Sequence, residues 1–166
     1  LSKAARDVGA HAVATAHTAD DQVETFLLKL ARGAGSAGLS GIAPRSDLGG
    51  VRLIRPLLDA TRADVMAFVQ ANGLAYREDE SNRDTRMLRN RVRHEVLPFL
   101  ADRLNPRIRE AILHAADILG EEDRCLDEQA MDALRAAVVP DAQRAGMPYP
   151  GRGQALDILS VRAHPL

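Results

Sequence analysis

The stretch that most constrains this chain is HAVATAHTADDQVETFLLKLARG, residues 11–33. Its short apolar run, residues 11–16, is bounded by turn signals, which is the pattern of a strand buried on both faces. Thr18 stands where a helix N-cap belongs, and Asp21 three positions on completes a capping-box variant. Val23, Phe26, Leu27 and Leu30 then fall at i, i+3, i+4 and i+7, the buried stripe of a helix that Gly33 stops. Strand, turn and helix in that order predict an α/β fold.

The rest of the chain extends that reading. LSKAARDVGA, residues 1–10, has the character of a helix end with Gly9 as its stop. VRLIRPLL supplies a second short strand, ended by Pro56. Thr61 caps another helix, with Asp64 at its third position and Val65, Phe68 and Val69 on its buried face, and Asn72-Gly73 stops it. A polar loop leads into a basic helical segment with an expected break at Pro98. Asn105-Pro106 then opens a long helix carrying Ile108, Ile112, Ala115 and Leu119 on one face and reaching about residue 138. Four prolines from Pro140 onward predict a loosely ordered tail, with one short element at residues 155–161.

Composition bounds the function classes. The 166 residues have a one-domain length, and 46% apolar residues argue against general disorder. No apolar run approaches the ~18 residues of a membrane span, and no export signal is visible. A single cysteine, Cys125, excludes an intrachain disulfide and a cysteine metal cluster, so a reduced, cytoplasmic setting is expected. The net charge of −1 hides a segregation. Residues 83–109 hold eight arginines against Asp84, Glu95 and Asp102, whereas residues 117–132 hold seven acids against Arg124. Such runs are ordinarily solvated faces, but the basic one also supplies a local field for a polyanion.

Chemistry concentrates after the first strand. At about 100° per residue, Asp21 and Glu24 share a helix face roughly opposite the apolar stripe, which aims both away from the core. Carboxylates belong in a first helical turn anyway, beside the positive end of the dipole. The position is nevertheless the one where open α/β sheets bind ligands, and two carboxylates there suit Mg2+ shared with substrate phosphates. His17 either contacts a nucleotide or caps the turn. RGAGSAGLSG lacks the G-K-[ST] ending of a Walker A loop. Its glycines permit close backbone approach to a phosphate or base, and equally suit a flexible connection.

Four motifs in order carry a resemblance. H-x-x-D-D-x-x-E-T with R-G-x-G-x-x-G-L, then IRPLL, then REDESN, then R-N-x-x-R-H are similar to the tRNA(Ile)-lysidine synthase family over about residues 4–119. The resemblance implies the later part of a Rossmann-like, parallel-sheet ATP-pyrophosphatase (PP-loop) domain followed by a helical linker. The expected organisation is residues 1–98 catalytic, 99–139 linker and 140–166 tail. It implies ATP-dependent adenylation of the C2 oxygen of the wobble cytidine in an isoleucine tRNA with a CAU anticodon. Free lysine then displaces AMP to leave lysidine. By position, Asp21 and Glu24 match the catalytic acids holding Mg2+ at the ATP site. His17, Asp20, Arg32, Gly33 and Gly35 match the nucleotide pocket. Asp79, Ser81, Asn82, Arg89, Asn90 and Arg93 match substrate- and tRNA-binding positions.

The family's S-G-G-x-D-S diphosphate loop is absent from the sequence, so an N-terminal part of the domain is expected as a partner, and this chain alone is expected to be inactive. A second copy of the chain is a further partner to consider; a membrane is not. Two other readings compete. A sulfur-transferring relative of the same superfamily would need cysteines that the chain lacks. A non-catalytic helical module would bind RNA through residues 83–109 and ignore ATP.

Overall fold

In the computed structural model, residues 1–77 and 79–137 are described. Leu1–Gly120 form one compact unit, and the chain from Glu121 onward a second. The predicted tail and the short element at 155–161 lie outside the described residues.

Helix α1 (Ser2–Asp7) ends before Gly9, whose φ of 66° is the left-handed stop expected there. Strand β1 (Ala12–Ala14) leads to α2 (Ala19–Leu30), and α3 (Ser36–Leu39) follows inside the glycine-rich stretch. Strands β2 (Arg45–Asp47) and β3 (Arg52–Ile54) precede α4 (Arg62–Ala71). The sheet order is β1-β3-β2, with β1 parallel to β3 and β2 antiparallel to it.

The parallel pair bears out the α/β expectation, while β2 comes from a hairpin the periodicity did not reveal. Gly49 and Gly50 both hold positive φ, 64° and 85°, as a two-residue turn of the I′ kind requires. The Gly-Gly pair was the available signal. Strand β1 also differs from its expectation. Ala12 and Ala14 are exposed and Val13 only half-buried, because among the described residues β1 pairs with β3 alone.

The core lies among helices. Val23 and Phe26 of α2 meet Val92, Leu97, Ile112 and Ala116, with Leu27, Leu39, Ile108 and Leu119 packed around them. Leu30, predicted for the stripe, is exposed at the last turn of α2, and Phe68 of α4 is exposed as well.

The basic segment is one helical run in three parts: α5 (Leu88–Arg91), a π-helical turn (Val92–Val96) and α6 (Leu97–Arg103). Pro98 does not break it. Proline lacks an N–H and its ring crowds the carbonyl four residues back. The preceding turn widens instead, and the Leu97 N–H reaches the Val92 carbonyl five residues away. Helix α7 (Ile108–Ala137) follows; of its predicted face Ile112 is buried and Ile108, Ala115 and Leu119 are half-buried, with Ala116 buried beside them.

Candidate active site

The site is built where β1 and β3 end. The Thr15 N–H donates to the Ile54 carbonyl, so the parallel pair carries the chain to His17 and Thr18. Thr15 Oγ1 and His17 Nδ1 lie 2.9 Å apart, which fixes the imidazole against the strand end. Asp21 Oδ2 accepts from the Thr18 N–H at 2.8 Å and from its hydroxyl at 3.1 Å, closing the capping box the sequence predicts.

Two charged motifs meet at the head of α2. Glu24 Oε1 accepts from Arg93 Nε at 2.5 Å. Glu24 Oε2 accepts from Arg89 Nε at 2.8 Å and Arg93 Nη2 at 3.0 Å. Arg89 Nη2 also donates to Asp21 Oδ1 at 2.9 Å. Hydrogen bonding to Glu24 raises the pKa of Arg93, outweighing the effect of its burial. Asp20 forms a separate node: Oδ1 accepts from Arg109 Nη1 at 3.0 Å, and Oδ2 from the Arg62 N–H at the start of α4 at 2.7 Å. It thereby ties α2, α4 and α7 together.

One feature of the predicted geometry is reversed. Spacing aims Asp21 and Glu24 away from the core, yet Glu24 is 0% exposed. The helical run that carries Arg89 and Arg93 covers that face of α2, a long-range packing event no local period encodes.

The loop motif serves the same helices. Asp79 caps the 3₁₀ turn Glu80–Arg83 through the Ser81 N–H, a bond that lowers the Asp79 pKa. Asn90 is buried and donates to the carbonyls of Ser81 and Asp84 at 2.9 and 3.0 Å. His94 Nε2 lies 3.0 Å from the Asn82 carbonyl. Asn90 and His94 thus hold the loop from within, leaving Ser81 and Asn82 exposed.

The structure brings His17, Asp20, Asp21, Glu24, Arg89 and Arg93 to one end of α2. Arg32, Gly33 and Gly35 stand exposed beyond the other end, about 18 Å along a helix of 12 residues. The glycine-rich stretch is ordered by α3 and returns at Gly41. There Gln22 Nε2 donates to the Ile42 carbonyl at 3.0 Å, and the Ile42 N–H donates to Gln22 Oε1. Lys29 Nζ donates to the Gly41 carbonyl at 2.9 Å. Sequence reasoning passed over Gln22, Lys29 and Arg109; the one available hint was Arg109 within the basic run.

Among the described residues, no group of three or more His, Cys, Asp or Glu side chains could hold a metal ion. Both Glu24 oxygens face guanidinium groups, so Asp21 and Glu24 as arranged do not fit the oxygen shell that Mg2+ requires.

The PP-loop domain family matches residues 1–100. The chain is 44% identical over 135 residues to a tRNA(Ile)-lysidine synthase of Geobacter sulfurreducens, covering 81% of this chain and 28% of that protein. It is 42% identical over 163 residues to one of Salinispora arenicola, covering 95% and 49%, and 44% identical over 127 residues to one of Pectobacterium atrosepticum, covering 76% and 29%. The chain therefore spans less than half the length of these curated relatives. Since the match covers more than half of its residues, the chain belongs to the PP-loop domain family.

Proposed function

We propose that the chain is part of a tRNA(Ile)-lysidine synthase. The observation that carries this reading is the cluster of Asp21, Glu24, Arg89 and Arg93 at the carboxyl ends of a parallel strand pair. It joins two of the motifs by which the chain resembles that family, at the place where open α/β sheets take their ligands. The names of the relatives support the same reading.

ATP supplies the adenylyl group that turns the C2 oxygen of the wobble cytidine into a leaving group. The lysine ε-amine then attacks C2, forming the C–N bond of lysidine as AMP departs. The donor set here suits an anionic nucleotide: the Arg89 side chain is 41% exposed, and its Nη1 lies outside the bonds to Asp21 and Glu24. Arginine matches phosphate oxygens through a rigid fork of donors, and His17 adds a ring at the strand end. Asp21, which borders solvent at 19% exposure, is the carboxylate through which this face could meet a substrate cation.

The test uses the full gene product that carries this chain, with ATP, labelled lysine and isoleucine tRNA bearing a CAU anticodon. Lysine should enter the tRNA with one pyrophosphate and one AMP released per lysine. Asp21→Asn should lower incorporation by about 100-fold while the protein stays folded. ATP binding without lysine transfer would end this reading, and RNA binding indifferent to ATP would favour the helical module instead.

A further inference from the structure

We propose that Glu24 is a positioning residue that fixes Arg89 and Arg93, and is not a metal ligand. The reading above enters only in identifying what the arginines meet, an anionic phosphate group.

The geometry separates the two carboxylates of the motif. Glu24 has no exposed surface, sits between the core residues Val23 and Phe26 in sequence, and spends both oxygens on three guanidinium N–H groups. A buried carboxylate is tolerable when its charge is paired and its lone pairs are filled, as here. Mg2+ would need those same oxygens at about 2.0–2.1 Å, together with waters for which a fully buried carboxylate leaves no space. Asp21 differs, with one oxygen in the capping box, one on Arg89, and an edge open to solvent.

The arginines are graded outward. Arg93 is held by both Glu24 oxygens and its side chain is 22% exposed, whereas Arg89 is 41% exposed. Arg89 has Nε on Glu24 and Nη2 on Asp21, so its plane is set by two carboxylates and its remaining edge is presented in one orientation. The π-helical turn begins between the two arginines and carries Arg93 to the carboxylate that Arg89 also reaches. A guanidinium fixed in this way is preorganised for a phosphate and loses little freedom on binding it.

Thermal unfolding of the full gene product, in EDTA and in Mg2+, tests the anchor role without any assay of lysine transfer. Glu24→Gln is expected to lower the Tm by roughly 10 °C equally in both conditions, since it removes the buried charge that pairs two guanidinium groups. In an Arg93→Lys background the same change should cost less than half as much. Glu24→Asp, which keeps the charge and withdraws it by one methylene, guards against a variant that cannot fold. It should weaken ATP binding about tenfold and leave the Mg2+ concentration dependence of that binding unchanged. A Tm loss seen only in Mg2+, or a tenfold rise in the Mg2+ requirement, would identify Glu24 as a ligand and overturn the proposal. Unchanged ATP affinity in a destabilised Glu24→Asp would overturn it too, leaving a purely structural ion pair. Failure of lysine transfer with these results intact would count against the proposed function alone.

Discussion

Gly41 shows how one residue position can be dictated by a neighbour far away in sequence. Its φ is 86°, and a Cβ built there would stand 2.3 Å from Gln22 Oε1 and 3.1 Å from Gln22 Cδ. Gln22 holds that place because its amide completes both backbone bonds of Ile42. Gly41→Ala therefore meets a left-handed backbone and a blocked volume together, and should destabilise the protein by about 1–3 kcal/mol. Gln22→Ala removes the clash but orphans the Ile42 N–H and carbonyl, at a cost of about 1–3 kcal/mol. Denaturant unfolding of the two single variants and the double should show the double costing less than the sum. Strict additivity would mean that Gln22 does not shape the turn.

At the scale of elements, caps were legible and helix continuity was not. The Thr61–Asp64 capping box of α4 is present, with the Thr61 N–H on Asp64 Oδ2 at 2.9 Å and the Asp64 N–H on Thr61 Oγ1 at 3.1 Å. The hydrogen bond from the Thr61 side chain is the main cause of a lowered Asp64 pKa, and its backbone bond adds to it. A depressed carboxylate contributes stability above its unfolded pKa and loses it as pH falls through the folded value. The first turn of α4 should therefore fray below about pH 4. Thr61→Ala should raise amide exchange there roughly fivefold near neutral pH and flatten the acid response. Protection, taken relative to the intrinsic exchange rate, that is independent of pH from 6 to about 3 would remove the cap from the account. Pro98 marks the opposite case. Proline chemistry forecasts a break, but the core contacts of Val92 and Leu97, both ahead of the proline, hold the run continuous through the π-helical turn.

Over the whole molecule the basic block divides into two populations. Arg89 and Arg93 are spent on internal carboxylates, whereas Arg86 and Arg107 are 91% and 80% exposed at their side chains. Counting arginines in the sequence could not make that division. Arg107→Ala should leave the Tm within about 1–2 °C and, under the proposed function, lower the salt slope of tRNA binding by about one unit. Arg93→Ala should instead lower the Tm by several degrees, because it leaves Glu24 buried without its closest cation. Equal Tm losses for the two would contradict the division. Among the described residues no helix is long and apolar enough to cross a membrane, in keeping with the absence of long apolar runs.

The local chemistry was readable from residue order alone: the Thr18 and Thr61 caps, the Gly9 stop, the α7 stripe and the order of motifs. These follow from contacts within a few residues, where periodicity and side-chain chemistry act directly. Long-range packing sets the rest: Glu24 faces inward, Asn90 grips a loop, and Asp20 joins Arg109 to the start of α4. Each of those outcomes depends on which helix covers which face, and the partners lie from 6 to 89 positions apart in sequence. A carboxylate on a polar helix face has the same local signature whether water or a guanidinium arrives to meet it. Burial then turns that difference into a matter of several kcal/mol, roughly the worth of a buried ion pair broken on one side.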